Sequence, residues 1–179
     1  MPYTLIAEEF GESKLGKVAG VHCGNEPWAL FAAQWIQAPQ DMHGALKSIA
    51  QWGNKVWLYF DADSDQLVGF GSLGSAVWPN YQPHAVSIIP QLAIHANFHG
   101  KPLGAGEIRF SHQLLDDLIA RAIALEPRRL VLTVDPGNEK ARYLYREFGF
   151  EELPDLSPRG HVKMTLLLPE PFQNPAVSS

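Results

Sequence analysis

Apolar residues in the first third of the chain recur with the spacing of an α-helix. Residues 25–27 read Asn-Glu-Pro, which is typical of a helix start because proline is tolerated in the first turn. The apolar stripe that follows ends at Pro39, and a second helix is predicted over residues 41–52. The inward side chains of the two helices are Trp28, Phe31, Ala32, Trp35 and Ile36, then Met42, Leu46 and Ile49.

The middle of the chain carries short β-prone runs separated by turn-forming residues. Residues 56–61 and 66–72 predict a hairpin, and the connection at 62–65 reads Ala-Asp-Ser-Asp. Residues 86–95 predict the next strand. Pro90 interrupts this strand, and because proline has no N–H to donate, we expect it at an edge or a bulge.

The second half predicts one long helix, two strands and a short helix. A glycine-rich loop at 99–106 precedes the long helix, which reaches Leu125. Residues 130–134 are an unbroken β-prone run, typical of a strand covered on both faces, and 161–168 predict a closing strand. The order of elements predicts an α/β fold with a mixed sheet and helices on both faces. The inward side chains of the long helix are Ile108, Leu115, Leu118, Ile119 and Ala122.

The stretch between the last two predicted strands is the most informative part of the sequence. Residues 135–137 read Asp-Pro-Gly and predict a tight turn. Asn138 follows at the position of a helix N-cap, and Gly149 stands where a helix end favours a left-handed residue. Asn138, Ala141 and Tyr145 have i, i+3, i+7 spacing, so they lie along one stripe of the helix, over about 10 Å.

Composition limits the class of protein. A chain of 179 residues with 46% apolar content can bury a substantial core, and we expect one domain over 1–168 followed by a loose tail over 169–179. The net charge is −5 and no basic run exceeds two residues, which disfavours nucleic acid as the main partner. The single cysteine fits a reducing cytoplasm, and neither a signal peptide nor a membrane-spanning run is apparent.

The helix of residues 138–150 resembles the closing motif of the Gcn5-related N-acetyltransferase (GNAT) superfamily. That motif reads Asn-x-x-Ala-x-x-x-Tyr-x-x-x-Gly-Phe, and the sequence matches it without a gap from Asn138 to Phe150. The resemblance covers roughly residues 18–168. It implies a mainly antiparallel sheet that is splayed at its middle, the acyl-CoA N-acyltransferase fold. It also implies acetyl-CoA as co-substrate, with Asn138 against the pantetheine arm and the Tyr145 hydroxyl near the thioester sulfur. Asn138 as a plain N-cap and Tyr145 as a plain core residue are the structural alternative.

The glycine-rich loop is similar to the pyrophosphate loop of the same superfamily. Backbone N–H groups at a helix N-terminus can cradle a pyrophosphate, and glycine lets the main chain approach it closely. The family's pattern is Arg or Gln, two residues, Gly, one residue, then Gly or Ala. Lys101 replaces the Arg or Gln here, and the usual spacing from the preceding strand would place the first glycine at Pro102. The predicted pyrophosphate contacts are Lys101, Leu103, Gly104, Ala105 and Gly106.

The resemblance also implies a mechanism. Pantetheine enters the splay like a substitute strand, and the backbone groups of Ile94 and Ala96 are its predicted partners. A neutral primary amine attacks the thioester directly, a backbone N–H of this strand steadies the oxyanion, and Tyr145 protonates the leaving thiolate as general acid. The general base is left open between a water chain and four side chains, His95, Gln91, Glu26 and His84.

Other candidate sites and functions rank lower. Cys23 beside His22 is more typical of a small packed residue than of a nucleophile, and the spacing of His95 and His99 falls in a loop, so no metal site is predicted. Three segments, residues 21–25, 67–73 and 89–94, resemble the toxin-type branch that acetylates aminoacyl-tRNA, although the loop lacks that branch's consecutive basic residues. A non-catalytic acyl-CoA sensor and a domain without cofactor are the further alternatives. The oligomeric state, a homodimer included, is left open.

Overall fold

A computed structural model describes residues 5–18, 46–47, 49–51, 53–76, 86–101, 108–125 and 128–169. The described strands form one sheet with the order β1-β2-β3-β4-β6-β8-β7, and β5 pairs with β3 beside β4. Within this sheet β4–β6 is the parallel pair and the remaining described pairs are antiparallel. The strands are β1 Leu5–Glu9, β2 Lys55–Asp61, β3 Leu67–Ala76, β4 Val86–Ile89, β5 Leu92–Ile94, β6 Arg129–Val134, β7 Glu151–Glu152 and β8 Val162–Leu167.

Helices accompany the sheet where the apolar periodicity predicts them. The helix α1 spans Phe110–Ile123 and α2 spans Glu139–Glu147, while Glu12–Val18 and Ala96–Phe98 form 3-10 turns. Residues 46–47 and 49–51 are helical, as expected for the second early helix, and Leu46 and Ile49 are buried. The residues of the first predicted helix, which starts near residues 25–27 and ends before Pro39, lie outside the described residues. No helix in the described ranges is long and apolar enough to cross a membrane.

Both faces of β2 are buried, which explains the continuous apolar sequence of this strand. Trp57 and Tyr59 belong to one hydrophobic cluster, together with Leu114, Leu115 and Leu118 of α1. Val56, Leu58 and Phe60 belong to a second cluster, which includes Leu46 and Ile49 from the early helical residues. The prediction of helices on both faces of a mixed sheet is therefore confirmed in the described part of the chain.

The helix α1 lies close to β3 because residue 71 is a glycine. A Cβ atom built on Gly71 would lie 2.5 Å from Cδ1 of the buried Leu118. A polar contact also attaches α1 to β2: the Tyr59 hydroxyl donates to Oδ2 of Asp117 at 2.7 Å, and Arg121 donates to the same oxygen at 2.6 Å. Burial first, and then this hydrogen bond, raise the pKa of Tyr59.

Sequence periodicity misses three features of this architecture. The edge strand β1 is only half-buried, with Ile6 46% exposed, so it carries no clear apolar alternation. The strand β7 consists of two exposed glutamates that pair with β8. Ile108, predicted as a core residue of the long helix, lies before α1 and is 60% exposed, and Phe110 and Leu114 are buried in its place.

Candidate active site

The predicted strand over residues 86–95 is two strands joined by a bulge at Pro90. The pairs Gly74↔Ile88 and Gly71↔Leu92 leave two residues of β3 facing three residues, 89–91, of the opposite strand. An extra residue on one strand of an antiparallel pair is a β-bulge, which bends the strand that carries it. Proline is compatible with this position because no ladder hydrogen bond is required from it. The prediction of an edge or bulge at Pro90 is confirmed.

The bulge opens the middle of the sheet. The strand β4 pairs with β3 on one side and with β6 on the other, up to Ile89↔Leu132. Beyond the bulge, β5 still pairs with β3, but it does not pair with β6 in the described part of the sheet. The strand β6 continues for two residues, Thr133 and Val134, which pair on their other side with β8. We call the space between β5 and these last two residues of β6 the strand gap. It is the splay that the family resemblance implies.

Backbone groups of β5 face the strand gap. In an antiparallel pair, successive residues direct their N–H and C=O groups to opposite sides. The His95 N–H donates to the Val68 carbonyl at 2.7 Å and the Ser72 N–H donates to the Gln91 carbonyl at 3.0 Å, so residues 91 and 95 face β3. Leu92 and Ile94 therefore direct their backbone groups away from β3, toward the side on which β6 lies.

A histidine side chain contacts one of these groups. Nε2 of His99 lies 2.9 Å from the carbonyl oxygen of Ile94, a distance at which the imidazole donates a hydrogen bond. Because the Ile94 carbonyl faces the strand gap, the imidazole of His99 stands at the entrance to it. Sequence reasoning considered His99 only as a metal ligand. The described residues contain no group of three or more His, Cys, Asp or Glu side chains that could hold a metal ion.

The predicted role of Ala96 as a strand residue differs from what is observed. Ala96 begins the 3-10 turn Ala96–Phe98, and its carbonyl accepts the N–H of His99 at 3.2 Å. The side chain of His95 caps this turn, since its Nδ1 accepts the Asn97 N–H at 3.1 Å. The local cap ends β5 at Ile94, so Ile94 lies on the strand and Ala96 does not.

Two aromatic rings lie on either side of the predicted pyrophosphate loop. Leu103, Gly104, Ala105 and Gly106 lie outside the described residues, together with Pro102. On either side of them, the ring of Phe98 packs edge-on against that of Phe110, the first residue of α1, with centroids 5.1 Å apart. Lys101 is exposed and its Nζ lies 5.9 Å from the centroid of Phe98. The described segments before and after the loop therefore contact each other through these two rings at the start of α1.

The helix α2 has the caps that its sequence predicts. Oδ1 of Asn138 accepts the Ala141 N–H at 3.1 Å, which is an N-cap bond and leaves the side-chain amide free to donate elsewhere. Gly149, just beyond the helix end, has φ of +86°, a conformation that costs a glycine little. Both positional predictions are confirmed, while the contact of Asn138 with pantetheine stays a prediction.

Tyr145 is buried on the face of the sheet against which side chains of β5 also pack. Its side chain is 7% exposed and belongs to the hydrophobic cluster against which Leu92 and Ile94 of β5 also pack. Its ring lies 5.8 Å from that of Phe150, and within the described part of the chain no hydrogen bond to its hydroxyl is observed. Burial raises the pKa of Tyr145 to about 12. The phenol is therefore neutral at physiological pH and holds a proton that it can donate.

Two of the four candidate bases lie within the described residues. Nδ1 of His95 uses its lone pair to cap the 3-10 turn, so in the neutral ring Nε2 carries the proton and no lone pair remains to accept another. This arrangement disfavours His95 as a base. The backbone of Gln91 forms the bulge, and its side chain is half-buried. Glu26 and His84 lie outside the described residues.

Ser72 is the residue of this region that sequence reasoning missed. Its side chain is fully buried, and its Oγ accepts the Gln91 N–H at 3.1 Å and lies 3.3 Å from the Gln91 carbonyl oxygen. The sequence signal is a small polar residue within a β-prone run, which is too weak to identify a site without the register.

Comparisons with known proteins agree with this geometry. A sequence model of the acetyltransferase (GNAT) family matches residues 24–150. A ribosomal-protein-alanine N-acetyltransferase from Brucella melitensis is similar in structure, with a TM-score of 0.63 and 19% identity over 91% of this chain and 99% of that one. No curated protein sequence matches the chain.

Two further solved structures contain the coenzyme. Spermidine N-acetyltransferase from Vibrio cholerae, in complex with CoA and spermine, has a TM-score of 0.61 and 19% identity over 91% of this chain and 95% of that one. YncA from Salmonella typhimurium, with acetyl-CoA, has a TM-score of 0.63 and 15% identity over 96% and 98%. These likenesses establish the fold, and the family model covers more than half of the sequence. The chain belongs to the acetyltransferase (GNAT) family.

Proposed function

We propose that the chain transfers the acetyl group of acetyl-CoA to a primary amine of a small molecule or a protein. The observation that carries this proposal is the strand gap. The pairing of β4 with β6 stops at Ile89↔Leu132, and β5, which follows, pairs with β3 and leaves a space beside β6. An open edge with backbone donors and acceptors is suited to bind an extended chain that carries amides of its own. The pantetheine arm of acetyl-CoA is such a chain.

The coenzyme would be held mainly by main-chain groups. Leu92 and Ile94 offer their backbone groups to the pantetheine amides, and the Ile94 carbonyl becomes available when His99 moves away from it. The side-chain amide of Asn138 keeps its N–H donors because only Oδ1 serves as the helix cap. The loop before α1, through Lys101, Leu103, Gly104, Ala105 and Gly106, would bind the pyrophosphate at the helix N-terminus.

The reaction would need little from the protein beyond orientation and one proton. The nitrogen of a neutral amine attacks the thioester carbon, and a backbone N–H of β5 stabilises the oxyanion of the tetrahedral intermediate. The C–S bond then breaks, the amide forms, and Tyr145 gives its proton to the departing sulfur. The proton lost by the attacking amine replaces that of Tyr145, directly or through water, and no base is assigned.

The acceptor is proposed at the level of a primary amine. The names of the similar structures include a ribosomal-protein alanine and spermidine, which are different molecules that share this group. The net charge of −5 favours acceptors that carry positive charge over aminoacyl-tRNA, whose phosphates an acidic protein repels. Aminoacyl-tRNA is nevertheless included among the acceptors to be tested, because three segments resemble the toxin-type branch.

Two measurements on the full chain test this proposal. Millimolar CoA should raise the melting temperature, since a ligand that binds only the folded state stabilises it. Thiol release from acetyl-CoA, detected with DTNB, should then appear with at least one acceptor among polyamines, amino acids, aminoglycosides, peptides with N-terminal alanine and aminoacyl-tRNA. Stabilisation by CoA without thiol release would favour a non-catalytic acyl-CoA sensor. An unchanged melting temperature would favour a domain without cofactor and contradict the proposal.

A further inference from the structure

The buried serine on β3 holds the bulge that opens the sheet. Three short contacts connect Ser72 with Gln91: backbone N–H to carbonyl at 3.0 Å, and the hydroxyl oxygen 3.1 Å from the Gln91 nitrogen and 3.3 Å from its carbonyl oxygen. Pro90, the preceding residue, has no N–H with which to anchor the bulge itself. The Ser72 hydroxyl therefore provides an acceptor at the point where the regular ladder is interrupted.

The bulge that Ser72 contacts sets the direction of the backbone groups in the residues that follow it. Gln91 immediately precedes β5, and the register of β5 on β3 is offset by one residue from that of β4. Because side chains and backbone groups alternate along a strand, a one-residue slip would exchange the groups that face β3 with those that face the strand gap. The bulge is thus the feature that directs the backbone of Leu92 and Ile94 into the gap.

We infer that Ser72 is a positioning residue for acetyl transfer. Its hydroxyl fixes the bulge at Pro90–Gln91, and through it the direction in which β5 presents hydrogen-bonding groups to the coenzyme. Ser72 does not touch the reacting atoms in this account. The inference rests on the proposed function, because it concerns how the strand gap recognises pantetheine.

The chain offers a matched control for a test of this inference. Ser87 on β4 is also a buried serine, 4% exposed, and within the described residues no hydrogen bond of its hydroxyl is observed. Ser87→Ala therefore makes the same chemical change at a similar depth in the neighbouring strand without touching the bulge. Ser72→Thr keeps the hydroxyl and tests for rescue.

The experiment measures the dissociation constant of CoA by calorimetry and the exchange rate of the Gln91 amide by NMR. For Ser72→Ala we expect CoA to bind about tenfold more weakly, which corresponds to one lost hydrogen bond in a buried setting, and the Gln91 amide to exchange at least about tenfold faster. Ser72→Thr should bind CoA within about threefold of the wild type, and Ser87→Ala should match the wild type in both measurements.

Each outcome has a defined meaning. If the wild type binds CoA and Ser72→Ala binds it equally well, the inference is overturned and the proposed function is unaffected. If Ser72→Ala and Ser87→Ala weaken binding to the same extent, the effect is general destabilisation, and the inference is again overturned. If the wild type does not bind CoA, the proposed function and this inference fail together. If Ser72→Ala does not fold, Ser72→Cys, which is similar in size and weaker in hydrogen bonding, takes its place with the same expected results.

Discussion

The phenol of Tyr145 is the side chain to which the proposed mechanism assigns a chemical step. It stays protonated up to a pH well above the physiological range, because burial raises its pKa to about 12. No hydrogen bond of its hydroxyl is observed within the described residues. A neutral phenol beside a departing thiolate can donate its proton. Because the hydroxyl has no hydrogen-bond partner among the described residues, we expect it to contribute little to the stability of the fold.

Tyr145→Phe should therefore separate catalysis from folding. We expect kcat to fall about a hundredfold, the usual contribution of one positioned acid, while the melting temperature stays close to that of the wild type. The value of kcat is measured by DTNB detection of CoA release with an acceptor found in the screen, and the melting temperature is measured by circular dichroism. Tyr143→Phe is the control, because Tyr143 is on the same helix and 61% exposed. Equal kcat values for wild type and Tyr145→Phe would remove the acid role.

The imidazole of His99 is hydrogen-bonded to the Ile94 carbonyl oxygen, which the coenzyme is proposed to use. If pantetheine donates to the Ile94 oxygen from the direction that Nε2 now uses, the 2.9 Å contact must break first, and its loss subtracts from the binding free energy. His99→Ala should therefore bind CoA about two- to tenfold more tightly, the equivalent of one net hydrogen bond. His99→Gln, which keeps an N–H donor, should remain near the wild type. Weaker binding by His99→Ala would mean that His99 itself contacts the coenzyme.

At the scale of elements, the packing of α1 on β3 fixes where α1 lies against the sheet, and the predicted pyrophosphate loop comes directly before this helix. Gly71→Ala should destabilise the fold by about 1–3 kcal/mol, because the added methyl group meets Leu118 at 2.5 Å in a closely packed interior. It should also weaken CoA binding by shifting the start of α1. Urea unfolding and calorimetry measure the two effects. Gly16→Ala is the control, since its Cβ would meet nothing within 4 Å, and equal stability of the two variants would contradict this account of α1.

The sequence predicts those elements whose local chemistry is complete within a few residues. Asn138 and Gly149 fix the two ends of α2 by capping and by a left-handed conformation, so both are readable without tertiary structure. Pro90 likewise signals a break in its strand. Ala96 is assigned wrongly to the strand, although the turn that removes it is also local, because its cap is the side chain of a histidine, which is not among the usual capping residues. The strand β7 depends entirely on pairing with β8, and its residues carry no apolar signal.

The candidate site is predictable only in part for the same reason. The positions of α2 and of the loop before α1 can be predicted from local sequence motifs, whereas the strand gap depends on how the strands are paired. Two pairs, Gly74↔Ile88 and Gly71↔Leu92, define the bulge that opens the gap, and neither is visible in local spacing. The contacts of Ser72 with Gln91 exist only once that register is formed. The contact of His99 with Ile94 spans the short 3-10 turn that follows β5.

At the scale of the whole molecule, the buried phenol makes stability depend on pH in the alkaline range. The unfolded phenol loses its proton near its ordinary pKa of 10, while that of folded Tyr145 keeps it up to about 12. Between these values the unfolded state binds fewer protons, so the free energy of unfolding falls as pH rises, by an amount on the order of 2 kcal/mol. Below pH 10 this contribution is constant.

Tyr145→Phe should remove this part of the decrease in the free energy of unfolding at alkaline pH. Urea midpoints of wild type and variant should run parallel from pH 7 to about 9.5, and above that the variant should lose less stability. Tyr59 remains in both proteins, and its raised pKa contributes equally to both curves. Curves that stay parallel up to pH 11.5 would show that Tyr145 is not shielded from water in the folded protein.

The sheet as a whole is proposed to work as an interrupted ladder that acetyl-CoA completes. The most direct measurement is a crystal structure of the chain with acetyl-CoA. We predict the pantetheine arm between β5 and β6, hydrogen-bonded to the backbone of Leu92 and Ile94, with the thioester sulfur within reach of the Tyr145 hydroxyl. Strands β5 and β6 paired directly with one another, or acetyl-CoA bound away from the strand gap, would contradict the account.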